Sequence, residues 1–125
     1  MRRPSSATAS LQTRLFALVF GASGVGHFAI PAFFVQLIPA ALPWRRFWVY
    51  LSGGVELLVA AGLLLPATRR RAAQGILGLL LLFTPLHVID LLREKPVAVN
   101  RAGASIRLLV QGLLIALARQ MTREA

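Results

Sequence analysis

The chain has 125 residues, of which 57% are hydrophobic and 14% are charged. Soluble domains are about 45–50% apolar and about 25% charged, and a short soluble domain cannot bury so much apolar surface. The composition therefore excludes an ordinary soluble domain. It predicts an all-α integral membrane protein whose surroundings are the lipid bilayer.

The net charge is +10, from 14 Lys and Arg residues against 4 Asp and Glu residues. The basic residues lie between the apolar stretches, as in Arg69-Arg70-Arg71, where they can contact anionic lipid headgroups. No basic helix face is interleaved with aromatic residues, so no nucleic-acid partner is expected. The chain has no cysteine, which excludes disulfides, thiolate metal sites and iron–sulfur clusters.

The first predicted span runs from about residue 11 to residue 30. A start of Met1-Arg2-Arg3 before an apolar stretch is also typical of a signal peptide. However, no A-x-A cleavage motif follows and apolar character continues to Ile30, so we expect a retained helix. Small residues, which let helices approach closely in lipid, are frequent in this span: Gly21, Ala22, Ser23, Gly24 and Gly26.

The segment from residue 31 to residue 43 contains three prolines, Pro31, Pro39 and Pro43. Prolines at these positions rule out one continuous helix. Because the segment is still apolar, we expect it to lie at the membrane interface. Aromatic residues follow it closely, as in the aromatic belt of membrane proteins: Trp44, Trp48 and Tyr50.

Three further spans are predicted at about residues 47–65, 72–92 and 102–118. A span of about 21 residues covers the roughly 30 Å hydrocarbon core, and Pro85 should kink the third span. The loops are short, so consecutive helices should be antiparallel neighbours. The predicted fold is a four-helix membrane bundle in one domain, residues 1–125, with the Pro-rich interfacial segment between helices 1 and 2.

The distribution of basic residues predicts cytoplasmic termini. With both termini inside, eight basic residues lie inside and five outside, and Arg107 lies within the fourth span. The inside residues are Arg2, Arg3, Arg14, Arg69, Arg70, Arg71, Arg119 and Arg123. The outside residues are Arg45, Arg46, Arg93, Lys95 and Arg101.

Polar residues within the spans are the most informative feature of the sequence. A charged group at membrane depth costs about 2.5–3.5 kcal/mol on the insertion scale, so it needs a partner or a purpose. Because the predicted helices alternate in direction, these residues fall in the same half of the bilayer. We therefore predict a polar pocket in the outer half of the bundle, formed by His27, Ser52, Glu56, His87, Asp90, Arg107 and Gln111.

Spacing supports this grouping. His87 and Asp90 are three residues apart and Arg107 and Gln111 four, so each pair shares one helix face. Ser52 lies one turn before Glu56, next to two glycines that leave space for close packing or a small ligand. A network centred on a Glu56–Arg107 contact is one interpretation of the pocket.

Structural interpretations of the same residues stay open. Arg107 can extend to the interface, Asp90 can pair with Arg93, and Gln111 can join two helices by a hydrogen bond. His87 can fill the kink at Pro85. His27 can be a hydrogen-bonded packing residue, and the acidic and basic groups can form a purely structural ion pair.

No catalytic residue, built-in cofactor or metal site is assigned. His87 and Asp90 are the only local pair with ligand-like spacing. A phosphate-binding glycine loop, a nucleophile elbow and an HExxH motif are all missing from the sequence.

Five sequence elements, in this order, resemble those of the DoxX-like family of small bacterial membrane proteins. Together they cover most of the chain. They are Gly24-Val-Gly-His27-Phe-Ala-Ile-Pro31-Ala-Phe-Phe, Ile38-Pro39-Ala-Ala-Leu-Pro43, Tyr50-Leu-Ser52-Gly53-Gly-Val-Glu56-Leu, Gly62-Leu-Leu-Leu-Pro66-Ala-Thr-Arg69-Arg70 and Arg107-Leu-Leu-Val-Gln111.

The resemblance implies a multi-pass protein of the bacterial inner membrane that is a subunit or accessory factor of a redox system. Members of the family are associated with such systems, including a quinone-reducing thiosulfate oxidoreductase. The pocket would then contact a quinone headgroup, without independent catalytic activity. One departure is that relatives often have Pro-x-Asn where this chain has Pro85-Leu-His87.

Two other functions stay open from the sequence. One is a non-enzymatic assembly or stability factor for other membrane proteins, which suits a small chain with small-residue helix faces. The other is a proton-coupled carrier, whose four helices would have to oligomerise. The expected partners are therefore lipid, other membrane proteins or a redox complex, and further copies of the chain.

Overall fold

The computed structural model describes residues 10–97 and 100–124, which form helices and turns with no strand among them. Helix α1 spans Leu11–Ala29, α2 spans Pro31–Val35, α3 spans Arg45–Leu64, α4 spans Arg69–Leu92 and α5 spans Arg101–Glu124. The predicted all-α class is confirmed. Arg2 and Arg3, which were counted among the basic residues that predict cytoplasmic termini, lie outside the described residues.

Three of the described helices, α3, α4 and α5, are long and apolar enough to cross a membrane. Their outward faces carry large apolar side chains, such as Leu58, Leu82 and Leu109, each at least two-thirds exposed. Lipid tolerates such a surface, whereas water penalises it in proportion to its apolar area. The predicted membrane character is therefore supported by length, composition and the direction of these side chains.

The long helices begin and end within three residues of the predicted spans, except at the end of α5. Helix α5 ends at Glu124 rather than near residue 118. Apolar character stops at residue 118, but Arg119, Gln120 and Glu124 are good helix formers. The helix therefore continues as a polar end after its apolar stretch has finished.

Residues 31–43 contain only the short helix α2 followed by turns, as expected for a segment with three prolines. Helix α4, by contrast, continues through Pro85. A proline inside a helix cannot donate a hydrogen bond to the carbonyl four residues earlier. The carbonyl four residues before Pro85 is that of Leu81, and the Thr84 hydroxyl donates to the neighbouring Leu80 carbonyl oxygen over 2.8 Å.

Helix α1 packs along α3, α3 packs on α4, and α4 packs on α5, while α2 lies against α3. The approach of α1 to α3 is very close. A Cβ atom added at Gly24 would lie 2.9 Å from the Gly53 carbonyl oxygen. One added at Gly53 would lie 2.5 Å from His27 Cβ. The small residues of α1 and α3 therefore set the distance between these helices.

The buried apolar core fills one half of the molecule. It lies where α1 begins, α3 ends, α4 begins and α5 ends, and it contains Phe16, Ala17, Phe20, Val59, Ala60, Leu63, Ala72, Ala73, Ile76, Leu80, Ala118 and Met121. Gln12 Nε2 adds a hydrogen bond of 3.1 Å to the Leu117 carbonyl oxygen, which links α1 to α5. The opposite half contains the buried polar residues His27, Glu56, Asp90 and Gln111, whereas buried Thr13 lies at the beginning of α1.

Gly53→Ala should destabilise the protein by about 1–3 kcal/mol, because the new methyl group would overlap His27 and Phe28 at the α1–α3 contact. The adjacent substitution Gly54→Ala is the matched control. A Cβ atom at Gly54 has no neighbour within 4 Å, so helix propensity should make this variant neutral or more stable by up to about 1 kcal/mol. Thermal unfolding in detergent compares the two; equal effects would contradict the close α1–α3 contact.

Candidate functional site

A cavity of about 300 Å³ lies in the polar half of the molecule. Its apolar wall comes from α2 and the turns after it, from α3, from α4 and from the turn after α4, and includes Phe33, Phe34, Leu37, Ile38, Val49, Phe83, Leu86 and Val97. Its polar residues are Ser23, His27, Ser52, Glu56, His87, Asp90 and Arg107. The structure thus brings six of the seven predicted pocket residues to one cavity, and Gln111 is the exception.

A buried pair of Glu56 and His27 joins α3 to α1 at this cavity. Glu56 Oε2 lies 3.1 Å from His27 Nδ1, and both side chains are less than a tenth exposed. The Ser23 hydroxyl donates to Glu56 Oε2 over 3.1 Å. The His27 ring also stacks on Phe34, with 3.8 Å between the ring centroids. Helix α1 therefore supplies both polar contacts of the Glu56 side chain.

The predicted Glu56–Arg107 contact is not formed, because the partners of Glu56 are Ser23 and His27. Helix α5 packs on α4, whereas α1 lies directly against α3. The side chains of α1 therefore lie closer to Glu56 than that of Arg107 does. Ser23 was missed as a site residue because it stood among small residues and was interpreted as part of a packing face. Its position four residues before His27, on the same helix face, was the available signal.

Arg107 lines the cavity without a carboxylate partner among the described residues. Its Nη1 atom is buried and has no hydrogen-bond partner there. An unmade hydrogen bond of a buried donor costs about 1–3 kcal/mol, and more for a charged group. The structure therefore holds a cationic donor at the cavity with unused hydrogen-bonding capacity.

Asp90 fixes the end of α4 and the turn that follows. Its Oδ1 atom accepts a hydrogen bond of 2.7 Å from the Val97 amide and lies 3.7 Å from Arg93 Nη1. The interpretation of Asp90 as a partner of Arg93 matches this geometry. His87, one turn earlier, lines the cavity from the same helix.

Two predicted pocket residues, Gln111 and Ser52, form hydrogen bonds to backbone carbonyl oxygens. Gln111 is fully buried and its Nε2 atom donates to the Leu80 carbonyl oxygen over 2.6 Å, so it joins α5 to α4. The Ser52 hydroxyl donates to the Trp48 and Val49 carbonyl oxygens of its own helix. Ser52 therefore lines the cavity, but its hydroxyl hydrogen is already used in hydrogen bonds to the backbone of α3.

Residues 31–38, which we call the cover segment, form one side of the cavity. Arg45 donates from Nη2 to the Val35 carbonyl oxygen over 2.7 Å and from Nε and Nη2 to the Ile38 carbonyl oxygen. Arg93 donates to the Gln36 carbonyl oxygen. The sequence placed both arginines at the membrane surface, but their guanidinium groups hold the backbone of the cover segment.

No group of three or more His, Asp or Glu side chains in the described part of the chain could hold a metal ion. The polar groups that line the cavity are two imidazoles, two carboxyl groups, two hydroxyls and one guanidinium, beside aromatic rings.

A family model described as Domain of unknown function (DUF8561) matches residues 16–122. The chain belongs to this family. No curated protein and no solved structure matches the chain. The DUF8561 match includes every residue that lines the cavity, so the cavity lies wholly within the region that defines the family.

Arg45→Ala should loosen the cover segment, because it removes charge-assisted hydrogen bonds to two carbonyl oxygens, each worth about 1.5–3 kcal/mol. Hydrogen–deuterium exchange of the protein in nanodiscs should then be at least about tenfold faster at the Leu37 and Ile38 amides. Arg46→Ala is the control, since exposed Arg46 contacts only the Tyr50 hydroxyl at 3.4 Å. Unchanged exchange in Arg45→Ala would show that these hydrogen bonds do not hold the segment.

Proposed function

We propose that the protein crosses the bacterial inner membrane four times, with α1 as the additional span and the cover segment at the interface. Helix α1 has 19 residues, or about 28 Å of helix, close to the roughly 30 Å hydrocarbon core. Its exposed face carries Leu11, Leu15, Leu18 and Val25. The excess of basic residues at the ends assigned to the cytoplasm supports cytoplasmic termini.

We propose further that the protein is a membrane subunit or accessory factor of a quinone-linked redox system and that its cavity holds a quinone headgroup. The observation that carries this proposal is the guanidinium of Arg107, which lines a cavity with aromatic walls and has no carboxylate partner among the described residues. A quinone is a flat apolar ring with carbonyl oxygens that accept hydrogen bonds. It would cover the Phe34 and Phe83 side of the cavity and accept a hydrogen bond from Arg107.

The size of the cavity also supports a headgroup. A volume of about 300 Å³ is at the lower end of the range for small-molecule sites, about 300–1,000 Å³. A single ring fits such a space, while a long isoprenoid tail would remain in lipid. The protein in this proposal binds and positions the quinone, and a redox partner in the membrane supplies the electrons.

The resemblance to the DoxX-like family supports the redox setting of the proposal. The residues that carry the resemblance include His27, Glu56 and Arg107, and all three line the cavity. The cavity residues come from every long helix, which suits binding of a ligand at the end of a bundle.

Arg107→Leu should weaken binding of a short-chain ubiquinone analogue by about tenfold to a hundredfold, since a hydrogen bond to a charged group contributes about 1.5–3 kcal/mol. Calorimetric titration of the protein in nanodiscs measures the affinity. Arg101→Leu, at the exposed start of α5, is the matched control and should bind like the unaltered protein.

Thermal unfolding separates loss of binding from loss of folding. Removing an unpartnered buried charge should leave the midpoint of Arg107→Leu unchanged or raise it. No binding of the analogue by the unaltered protein, or equal losses in Arg107→Leu and Arg101→Leu, would refute the quinone site.

A further inference from the structure

The contacts of His27 determine which ring nitrogen carries hydrogen. Nδ1 lies 2.6 Å from the Ser23 carbonyl oxygen, which can only accept a hydrogen bond. It also lies 3.1 Å from Glu56 Oε2. The Ser23 carbonyl oxygen can be paired only if Nδ1 carries the hydrogen and donates it. In the neutral ring, Nε2 then carries the lone pair and is the acceptor.

The Nε2 atom of His27 is free to contact a ligand. It has no hydrogen-bond partner within the described ranges. The atom is also not completely buried, so a ligand atom can reach it. His27 lines the cavity, and its ring is held by stacking on Phe34. The ring therefore offers a fixed acceptor nitrogen to whatever occupies the cavity.

Glu56 acts on this nitrogen through the ring. A carboxylate 3.1 Å from Nδ1 stabilises the positive charge that forms on the ring when Nε2 takes up a proton. The Ser23 hydroxyl, which donates to both Glu56 oxygens, holds the carboxylate in place. Glu56 is thus a positioning residue for His27.

We propose that the cavity prefers a ligand bearing a ring hydroxyl, the reduced quinol form, and that His27 Nε2 accepts the hydroxyl proton. This inference rests on the proposed quinone site and specifies its preferred redox form. The O–H bond of the ligand breaks, the proton forms an Nε2–H bond, and the electron pair stays on the ligand oxygen. No electron leaves the ligand in this step.

The complementarity of the cavity favours the quinol over the quinone. A quinone offers only acceptors, so it matches Arg107 and leaves the His27 acceptor unmatched. A quinol hydroxyl donates to Nε2, and the guanidinium of Arg107 in the same cavity stabilises the oxyanion that remains. Sites that match a hydroxyl in this way discriminate strongly against analogues without it.

Three probes with the same ring and decyl tail test the proposal: a benzoquinol, its quinone and its dimethyl ether. They are titrated calorimetrically into the full chain in nanodiscs, without oxygen. The unaltered protein should bind the quinol at least about tenfold more tightly than the dimethyl ether, and more tightly than the quinone.

In two variants the ratio of the affinity for the quinol to the affinity for the dimethyl ether should fall close to one. His27→Phe keeps a flat ring to stack on Phe34 but has no acceptor nitrogen. Glu56→Gln keeps the side-chain shape and an acceptor oxygen but removes the negative charge. If His27→Phe does not fold, Glu56→Gln carries the same prediction. Gln12→Leu, at the far end of α1, should keep the preference.

The outcomes separate this inference from the proposed function. Binding of the quinone with sensitivity to Arg107→Leu, but equal affinity for quinol and dimethyl ether, overturns the proton-acceptor role and leaves the quinone site standing. A quinol preference that survives both His27→Phe and Glu56→Gln also overturns it. Failure of all three probes to bind the unaltered protein overturns both proposals.

Discussion

The close contact between α1 and α3 is the constraint on which the polar half of the molecule depends. At Gly24 and Gly53 the two helices leave no room for a methyl group. This approach places Ser23 and His27 within hydrogen-bonding distance of Glu56. A larger residue at either glycine would separate the helices and take the Ser23 hydroxyl and the His27 ring away from a buried carboxyl group, at a cost that grows as the surroundings become less polar.

The two halves of the molecule therefore have different roles. The apolar half contains buried aliphatic and aromatic side chains that hold the four long helices together. In the polar half, Glu56 is satisfied by α1, and Asp90 by Arg93 and the Val97 amide. Two buried side-chain atoms of the described residues lack a hydrogen-bond partner, Arg107 Nη1 and Gln111 Oε1, and of these two residues only Arg107 lines the cavity.

The cover segment shows how the backbone of a broken helix is held by side chains from other helices. The prolines interrupt regular backbone pairing, and free carbonyl oxygens are costly away from water. Arg45 and Arg93 donate to three carbonyl oxygens of the segment, at Val35, Gln36 and Ile38, of which that of Val35 also accepts from the Ile38 amide. The arginines come from the start of α3 and the end of α4, so they tie the cover segment to two helices. The aromatic side of the cavity is held in place by the same hydrogen bonds.

The sequence by itself determined the helical class, the approximate positions of the long helices and the grouping of the polar residues. Apolar length decides where helices can cross lipid, and alternating helix direction places His27, Glu56 and Arg107 at the same end. It did not determine the end of α5, because helix propensity continues beyond the apolar stretch. Nor did it determine the role of Ser23.

Only the tertiary structure decided which polar side chains meet. The sequence favoured a Glu56–Arg107 contact because opposite charges attract, whereas the structure pairs Glu56 with His27 and leaves Arg107 at the cavity. Hydrogen bonds require heavy atoms within about 3 Å of each other. Such distances depend on the rotation and separation of the helices. Here they are set by two glycines on α1 and α3, and a pattern of polar residues along single helices does not contain that information.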